Sequence, residues 1–306
     1  MAMQIPISAI IPTIERAAIL QRTLESLTAQ GVLPAELIVV DGSIGDDTKK
    51  AVLQWGANVV TKVIWERATT RGAAAQRNQG VAIATQPYIW FFDDDILFES
   101  DCVTRLWLAI EADPKLGGVN AMITNQRYHP PRIISRTVFA LLNSGNEPTF
   151  AGRLLGPAVN LLPEDGDGLP EVVPTEWLNT TCTIYRREAL PDPPFHSIFT
   201  GYSMMEDVSL SVMVGRHWNL ANARTARIFH DSQPGAHKSD PIALAEMQLV
   251  NRHYVMTRIL GRTRVRDYAK LIIWEMFQLA TGSRRGAGLR GKLRGLRQLL
   301  ARPDGR

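Results

Sequence analysis

The chain has very little cysteine, Cys102 and Cys182 alone in 306 residues. Two thiols so far apart make neither a disulfide framework nor a spaced metal-ligand set, and they fit a reducing compartment. Long apolar runs are also lacking. None reaches the roughly 18 residues of a membrane span, and the nearest approach, 271–280, is interrupted by Glu275. Residues 1–11 have no basic leader and read as a strand rather than a signal peptide. No Gly-x-Gly-x-x-Gly follows that strand, because Pro12-Thr13 stands in its place, and there is no Walker-type loop. These absences argue against a disulfide-stapled module, an integral membrane protein, a dinucleotide enzyme and a P-loop NTPase. The expected location is the cytoplasm, at most peripheral on the inner face of the membrane.

What is present is ordinary in amount and unusual in arrangement. The 45% hydrophobic and 21% charged fractions suit a soluble globular protein. The length suits one large domain or a core with an appendage. The net charge of +4 hides a segregation. Residues 258–306 carry 13 Lys/Arg against Asp267, Glu275 and Asp304, a net of +10, while the other 257 residues carry 21 against 27, a net of −6. A basic tail on an acidic body predicts an anionic partner.

Along the chain, buried-type strands are predicted at 7–11, 37–40, 59–64 and 88–92, with helices at 19–27, 48–55, 72–84 and 98–112. Thr13 stands where it would cap the first helix. Such alternation predicts an α/β fold with a doubly wound, mostly parallel sheet covered on both faces. Ligands of such sheets sit at the carboxyl ends of strands, where Asp41 and Asp93-Asp94-Asp95 fall. Residues 117–176, cut by prolines, read as strands and long loops. Further strands are expected at 181–185 and 226–229, and helices at 206–214 and 241–260. Residues 265–279 have helical spacing and are expected to pack on the core or on a second copy of the chain. In 289–300, Leu289, Leu293, Leu296 and Leu300 form a stripe flanked by Arg290, Lys292, Arg294 and Arg297. That is the pattern of a helix on an anionic bilayer, so 284–306 is read as a membrane-surface segment. Its glycines weaken it as an autonomous helix, and its ordering is expected on contact with lipid, against the competing reading of a disordered solubilising tail. Without an aromatic stacking platform, nucleic acid is not an expected partner.

Three consecutive aspartates repel one another unless a cation or solvent relieves them. Asp93 and Asp95, two apart, share a face of extended backbone, and such oxygens suit Mg²⁺ or Mn²⁺, which also hold a diphosphate. A solvated acidic turn is the competing reading. The surrounding order is more specific. Ser8-Ala9-Ile10-Ile11-Pro12-Thr13, Glu36 to Ser43, Arg77-Asn78-Gln79-Gly80, Tyr88 to Asp95 and Glu206-Asp207-Val208-Ser209-Leu210 follow one another as in a known family. The chain resembles a family 2 glycosyltransferase with the GT-A fold, of the inverting, rhamnosyltransferase or polysaccharide-biosynthesis type, over about its first 215 residues.

The resemblance implies a set of roles. Pro12, Thr13 and Glu15 border the nucleotide, although Glu15 departs from the Asn or Asp usual there and also reads as a first-turn acid. Asp41 accepts a hydrogen bond from the base, usually uracil. Arg77 contacts the donor or bridges to the aspartates, with a surface helix cation as the competing reading. Asp95 is the first choice as metal ligand. Asp93 touches the ribose or the metal through water, and Asp94 is structural or touches the sugar. Asp207 is the general base, with Glu206 close behind. His230 is a further metal ligand or a hydrogen-bonding corner, and His237 is a weaker candidate on a flap.

These roles describe a hexosyltransferase that uses Mn²⁺ or Mg²⁺ to move sugar from a nucleotide diphosphate donor, a UDP-sugar, onto a hydroxyl of a glycan or lipid-linked glycan. The expected organisation is a catalytic domain over 1–257, divided into a donor half (1–115) and an acceptor half (116–257), and a basic helical extension over 258–306. Two other readings compete. A nucleotidyltransferase would need a basic phosphate loop that 12–16 does not supply. A catalytically degenerate sugar-nucleotide or glycan binder would lack one of the two acidic clusters, and both are present.

Overall fold

A computed structural model of the protein describes residues 3–233 and 239–301. In chain order the strands and helices are β1 (Met3–Thr13), α1 (Ala17–Thr28), β2 (Val32–Asp41), α2 (Asp47–Gly56), β3 (Lys62–Arg67), α3 (Ala73–Ile83) and β4 (Tyr88–Phe92). There follow β5 (Ile96–Phe98), α4 (Cys102–Ala112), β6 (Leu116–Ile123), α5 (Ile133–Asn143), β7 (Leu154–Leu155), β8 (Val159–Asn160) and β9 (Val172–Pro174). The last are β10 (Cys182–Arg186), α6 (Glu206–Val214), β11 (Asn219–His230), α7 (Pro241–Tyr254), α8 (Val265–Thr281) and α9 (Arg285–Ala301). His237 and residues 302–306 lie outside the described residues.

Contacts group the chain into two compact units, residues 1–127 with 163–233 and residues 128–162 with 234–306. The first unit is built on a mixed sheet of order β3-β2-β1-β4-β10-β6-β11-β5, with β9 beside β11. β1 pairs in parallel with β2 and β4, and β2 with β3. The apolar runs predict this placement: Ile7, Ala9, Ile10 and Ile11 of β1 and Leu37 to Val40 of β2 are fully buried, as central parallel strands require. β10 lies antiparallel between β4 and β6, and β11 runs parallel to β6. The expected α/β fold with a doubly wound, mostly parallel sheet and flanking helices is the one observed. Helix α3 comes close to β1 because residue 80 is glycine. A Cβ there would lie 2.4 Å from Ile10 Cγ2.

Several local expectations are corrected. The predicted helix 98–112 is a strand followed by a shorter helix. Phe98 pairs with Ile228 across β5 and β11 and packs on Trp90 and Phe92, so sheet pairing overrides its helical spacing. The predicted strand 226–229 is only the end of β11, and 59–64 becomes Lys62–Arg67. The segment 117–176 contains a fully buried strand, β6, and a helix, α5. Thr13 does not cap α1, whose first residue follows Arg16 with no side-chain cap.

The second unit holds α5, β7, β8 and the helices α7 to α9. Leu142, Phe150, Leu155 and Val159 form a core against which Phe139 and Trp274 pack. A buried charge chain crosses it. Glu275 takes the ammonium of Lys292 and lies 3.5 Å from Arg252 Nε, and Arg252 also donates to the Ala158 carbonyl. Burial lowers the pKa of Arg252 to about 10 in spite of Glu275. Helix α9 is ordered by packing on α7 within this unit. Gly291 and Gly295 are buried at the contact, and a Cβ on Gly291 would stand 2.3 Å from the Ile242 carbonyl oxygen. The glycines expected to weaken this helix are what lets it pack, so its described part does not await a lipid to fold. No helix among the described residues is long and apolar enough to cross a membrane.

Candidate active site

All the acidic candidates lie in the first unit, where four separate stretches of chain converge. The apolar strand β4 delivers Asp93, Asp94 and Asp95 at its carboxyl end, and the chain turns at once into β5. Because β5 pairs antiparallel with the end of β11, residue 96 faces residue 230. That register brings His230 beside the aspartates, with its Nε2 3.2 Å from Asp95 Oδ1. The other ring nitrogen, Nδ1, is 2.9 Å from Gln126 Nε2. Gln126 thus holds the ring from its Nδ1 side and leaves Nε2 as the nitrogen turned toward Asp95. The side-chain amide of Asn125 holds the backbone of His230, its Nδ2 donating to the carbonyl at 2.9 Å and its Oδ1 accepting from the N–H at 3.1 Å.

The middle aspartate points elsewhere. Asp94 is 5% exposed, and its carboxylate accepts from Thr13 Oγ1 at 2.6 Å and Arg16 Nη1 at 3.0 Å. Burial pushes its pKa up to about 6, against the pull of Thr13 and Arg16. Asp94 thus ties β1 and the start of α1 to the cluster. The same Arg16 nitrogen reaches Asp95 Oδ2 at 3.1 Å. Burial also pushes Asp95 up, but His230, Arg16 and the Gln233 amide outweigh it and hold the group below the usual carboxylate value. Asp93, Asp95 and His230 each offer a ligand atom within 4.8 Å of the others. Two carboxylates and an imidazole are a donor set for a divalent cation. Arg16 Nη2 and Arg77 Nε beside this set are buried without a hydrogen-bond partner, and such orphaned donors point to an anionic ligand nearby. The residues fit a metal–phosphate group.

Arg77 is no surface cation. It is 3% exposed and forks between the two acidic clusters, donating to Asp93 Oδ1 at 2.7 Å and to Glu206 Oε1 at 3.2 Å. Helix α6 starts at Glu206, after Ser203 and Met205 in left-handed backbone (φ 58° and 75°). For non-glycine residues that conformation is strained and gathers at functional sites. Ser203 is held by the Ala74 amide, which donates to its Oγ at 3.3 Å. Burial, together with the charge of Asp207, raises the pKa of Glu206 despite Arg77. Burial likewise raises Asp207, although the Val208 amide, at 2.7 Å, and Arg77 oppose it. Asp207 is half-buried. Tyr202, partly exposed before α6, is pushed up by burial and by the field of Asp93, Glu206, Asp95 and Asp207.

The nucleotide-side candidates form a second group. Pro12 lies in β1, half-buried. Glu15 is exposed with φ 53° and is not in the first turn of α1. Its backbone amide donates to Ser43 Oγ at 2.7 Å, and its Oε1 accepts from the Ile44 amide at 2.7 Å. It therefore clasps the loop after β2. Asp41 is fully buried, accepting from the Ser43 amide at 2.9 Å and Trp65 Nε1 at 3.2 Å, with Arg67 at 3.6 Å. Each oxygen keeps further lone-pair capacity. Gln76 stitches the two strand ends together, donating to the Thr13 and Val40 carbonyls at 2.9 and 2.7 Å. Sequence reasoning missed Arg16, Gln76, Trp65, Asn125 and Gln126. The one available signal was Arg16, a cation three residues beyond the strand-end Thr13 and so within reach of strand β4.

Known proteins resemble the chain in sequence over part of its length and in fold. The sequence model of the family described as Glycosyl transferase family 2 matches residues 8–153. A PGL/p-HBAD biosynthesis glycosyltransferase of Mycobacterium tuberculosis (strain ATCC 25177 / H37Ra) is 33% identical over 137 residues, 43% of this chain and 54% of that protein. The chain thus spans about half the length of that relative. A mannosyltransferase from Pyrobaculum calidifontis, solved with GDP-Man and Mn²⁺, superposes with a TM-score of 0.54 at 16% identity, covering 97% of this chain and 81% of that one. GalNAc-T7, solved with UDP, GalNAc and Mn²⁺, gives a TM-score of 0.56 at 15% identity over 82% of this chain and 47% of its own. At such identities the likeness is one of fold. Residues 8–153 match the glycosyl transferase family 2 domain, and the sheet on which they lie resembles that of GT-A glycosyltransferases.

Proposed function

We propose that the chain is a metal-dependent, inverting glycosyltransferase that moves a sugar from a nucleotide diphosphate donor, a UDP-sugar, to a hydroxyl of a glycan or lipid-linked glycan. The observation that carries this reading is Arg77, which joins the metal-type cluster at Asp93 to the acidic pair at Glu206. Donor-side and acceptor-side carboxylates are thereby parts of one site. The mannosyltransferase and GalNAc-T7, which share the fold, were solved with nucleotides and Mn²⁺, which supports a nucleotide-sugar donor and a divalent ion here.

Asp95 and His230, with Asp93, would hold the ion. When bound, it supplies positive charge that makes the diphosphate a better leaving group. An imidazole in the set favours Mn²⁺ over Mg²⁺, which prefers an all-oxygen shell. Arg16 and Arg77 each keep an orphaned N–H for the phosphates. Glu15 and Asp41, through the 41–46 loop, Trp65 and Arg67, shape the side that takes the base. Asp207 is the general base. Its carboxylate takes the acceptor O–H proton while that oxygen bonds the anomeric carbon from the opposite face. The carbon–oxygen bond to the diphosphate breaks, and the diphosphate leaves with the electron pair. Burial keeps Asp207 from being too weak a base, and Glu206, paired with Arg77, is fixed as its neighbour.

The test is thermal unfolding with a panel of nucleoside diphosphates, each with Mn²⁺, with Mg²⁺ or with neither. A ligand bound only by the folded state raises the midpoint by mass action. A rise that needs both UDP and the ion is the expected result. No rise with any nucleotide would sink the donor assignment, and a metal-independent rise would sink the ligand set.

A further inference from the structure

Helices α8 and α9 lie antiparallel, side by side, in the second unit. Lys292 of α9 reaches Glu275 and Gln278 of α8, and a Cβ on Gly288 would lie 3.3 Å from Leu279. Helix α7 covers one side of the pair. Gly291 and Gly295 of α9 close on Ala245 and Glu246, while Leu271 and Trp274 of α8 pack on Leu249 and Arg252. At about 3.6 residues per turn, going round either helix meets first the positions that face α7, then those that face the sister helix, then a line of exposed apolar residues. On α8 that line is Ile272 and Met276, and on α9 it is Leu289, Leu293, Leu296 and Leu300. Because the two helices run in opposite directions, the same order round each sets both lines on one face, away from α7. These side chains are between 48% and 74% exposed.

The charge around this face is of one sign. Beyond Arg266, every exposed position of α8 is uncharged, and Arg285–Ala301 contains no carboxylate. The carboxylates of α8 are engaged elsewhere: Glu275 is buried against Lys292, and Asp267 accepts from the Arg264 amide at 3.0 Å. Arg290, Arg294 and Arg297 are exposed and each follows a leucine of the stripe by one residue, so they rim its outer edge, on the side away from α8. A contiguous exposed apolar face marks a contact with protein or membrane. A second copy seated face to face would double the arginines with no exposed carboxylate to pair them. A bilayer bearing anionic lipid instead supplies hydrocarbon for the leucines and phosphate for the guanidiniums, whose long stems lie along apolar surface.

We propose that this face docks on a bilayer containing anionic lipid, with α8 and α9 lying in the plane of the surface, their apolar lines entering it and Arg290, Arg294 and Arg297 meeting lipid phosphates. Docking thus uses two helices already packed on α7, not a segment that folds on lipid. It adds a partner to the transferase reading and does not rest on it, since no donor, ion or transfer enters its test.

The test is co-sedimentation of the full chain with vesicles of phosphatidylcholine alone or mixed with phosphatidylglycerol. Four variants accompany the parent: Ile272→Gln with Met276→Gln on α8, Leu293→Gln with Leu296→Gln on α9, Arg290→Gln with Arg294→Gln and Arg297→Gln, and, as a control, Ile133→Gln with Ile134→Gln, an exposed apolar pair on α5. Glutamine has a helix propensity close to those of Leu, Met and Arg, and all these positions are exposed, so the parent's melt should be retained. The expected result is binding that requires phosphatidylglycerol, weakens as salt rises, falls about tenfold or more in each of the first three variants and is unchanged in the control. Undiminished binding by the α8 pair would overturn the shared face, and an equal loss in the control would overturn its location. Salt-independent binding of the parent, read without any variant, would overturn the anionic lipid. Absence of vesicle binding would overturn the bilayer outright, and a dimer in sedimentation equilibrium that the α9 pair abolishes would then assign the face to a second copy.

Discussion

Asp207 and Glu206 are adjacent carboxyls in one buried setting, yet they are held differently. Glu206 is tied to Arg77, while Asp207 is half-exposed and its carboxylate takes only the Val208 amide among the bonds described. Asp207→Asn should therefore leave UDP and Mn²⁺ binding intact and lower kcat by about 10²–10⁴-fold; single-turnover assays beside calorimetric binding check this, and near-normal turnover would move the base to Glu206. The raised pKa of Asp207 has two consequences of opposite sign. Turnover needs the deprotonated base, so kcat/KM should climb with pH along an acid limb lying above the ordinary aspartate value of about 3.9. The fold prefers the protonated form, so that contribution to stability is fully present below the unfolded-state value and is lost as pH rises through the folded-state value. Asp207→Asn should accordingly melt above the parent by a margin that grows with pH, and a constant margin would show that Asp207 is not perturbed. At the metal-type cluster, Asp95→Ala should leave nucleotide affinity the same with or without Mn²⁺, as read by calorimetry. Much of this was legible in the residues themselves, because three aspartates after an apolar strand and an acidic pair opening a helix are unusual on charge grounds alone. Arg16 and Gln76 were not legible. A cation before a helix and a glutamine within one look like surface residues until the strands are placed, and only then do Asp94 and the Val40 carbonyl come within reach.

At the scale of elements, periodicity located the first four strands but not the pairing of the rest. Nothing in residues 182–186 announces that β10 inserts antiparallel between β4 and β6, since a fully buried strand reads alike in either direction. Nor does 96–98 look like a strand, because three residues are too short for a period to show. Its role as the link that carries His230 to Asp95 comes from the β11 register alone. The glycines of α9 were legible as glycines but misjudged in purpose. Gly291→Ala tests the packing account. In a free helix the change would gain about 0.5–1 kcal/mol from propensity, whereas overpacking against a neighbour costs about 1–3 kcal/mol. The obstructing atom is a backbone oxygen, that of Ile242, at 2.3 Å, and cannot rotate away. The clash should win, and urea unfolding should show a net loss of about 1 kcal/mol or more. A gain would mean that α9 does not pack on α7 through this glycine.

For the whole molecule, the chain passes between its two compact units at 127/128, 162/163 and 233/234. Even so, every residue of the candidate site, from Pro12 to His230, belongs to the first unit. Local opening differs from place to place in a protein, and a ligand suppresses the openings that break its own contacts. Hydrogen exchange with and without UDP and Mn²⁺ can therefore separate a local donor site from a diffuse one. The strand end and turn at 88–98, the start of α6 and the end of β11 should exchange more slowly in the complex, because β4, β5 and β11 are the elements that hold Asp93, Asp95 and His230 together. Amides of α7 and α9 should be unaffected, since no candidate ligand lies on them. Protection spread evenly over both sets would mean that donor binding draws on residues of the second unit. The carboxylate cluster could not then be the whole of the donor site, and the basic segments would have to be searched for the missing phosphate contacts.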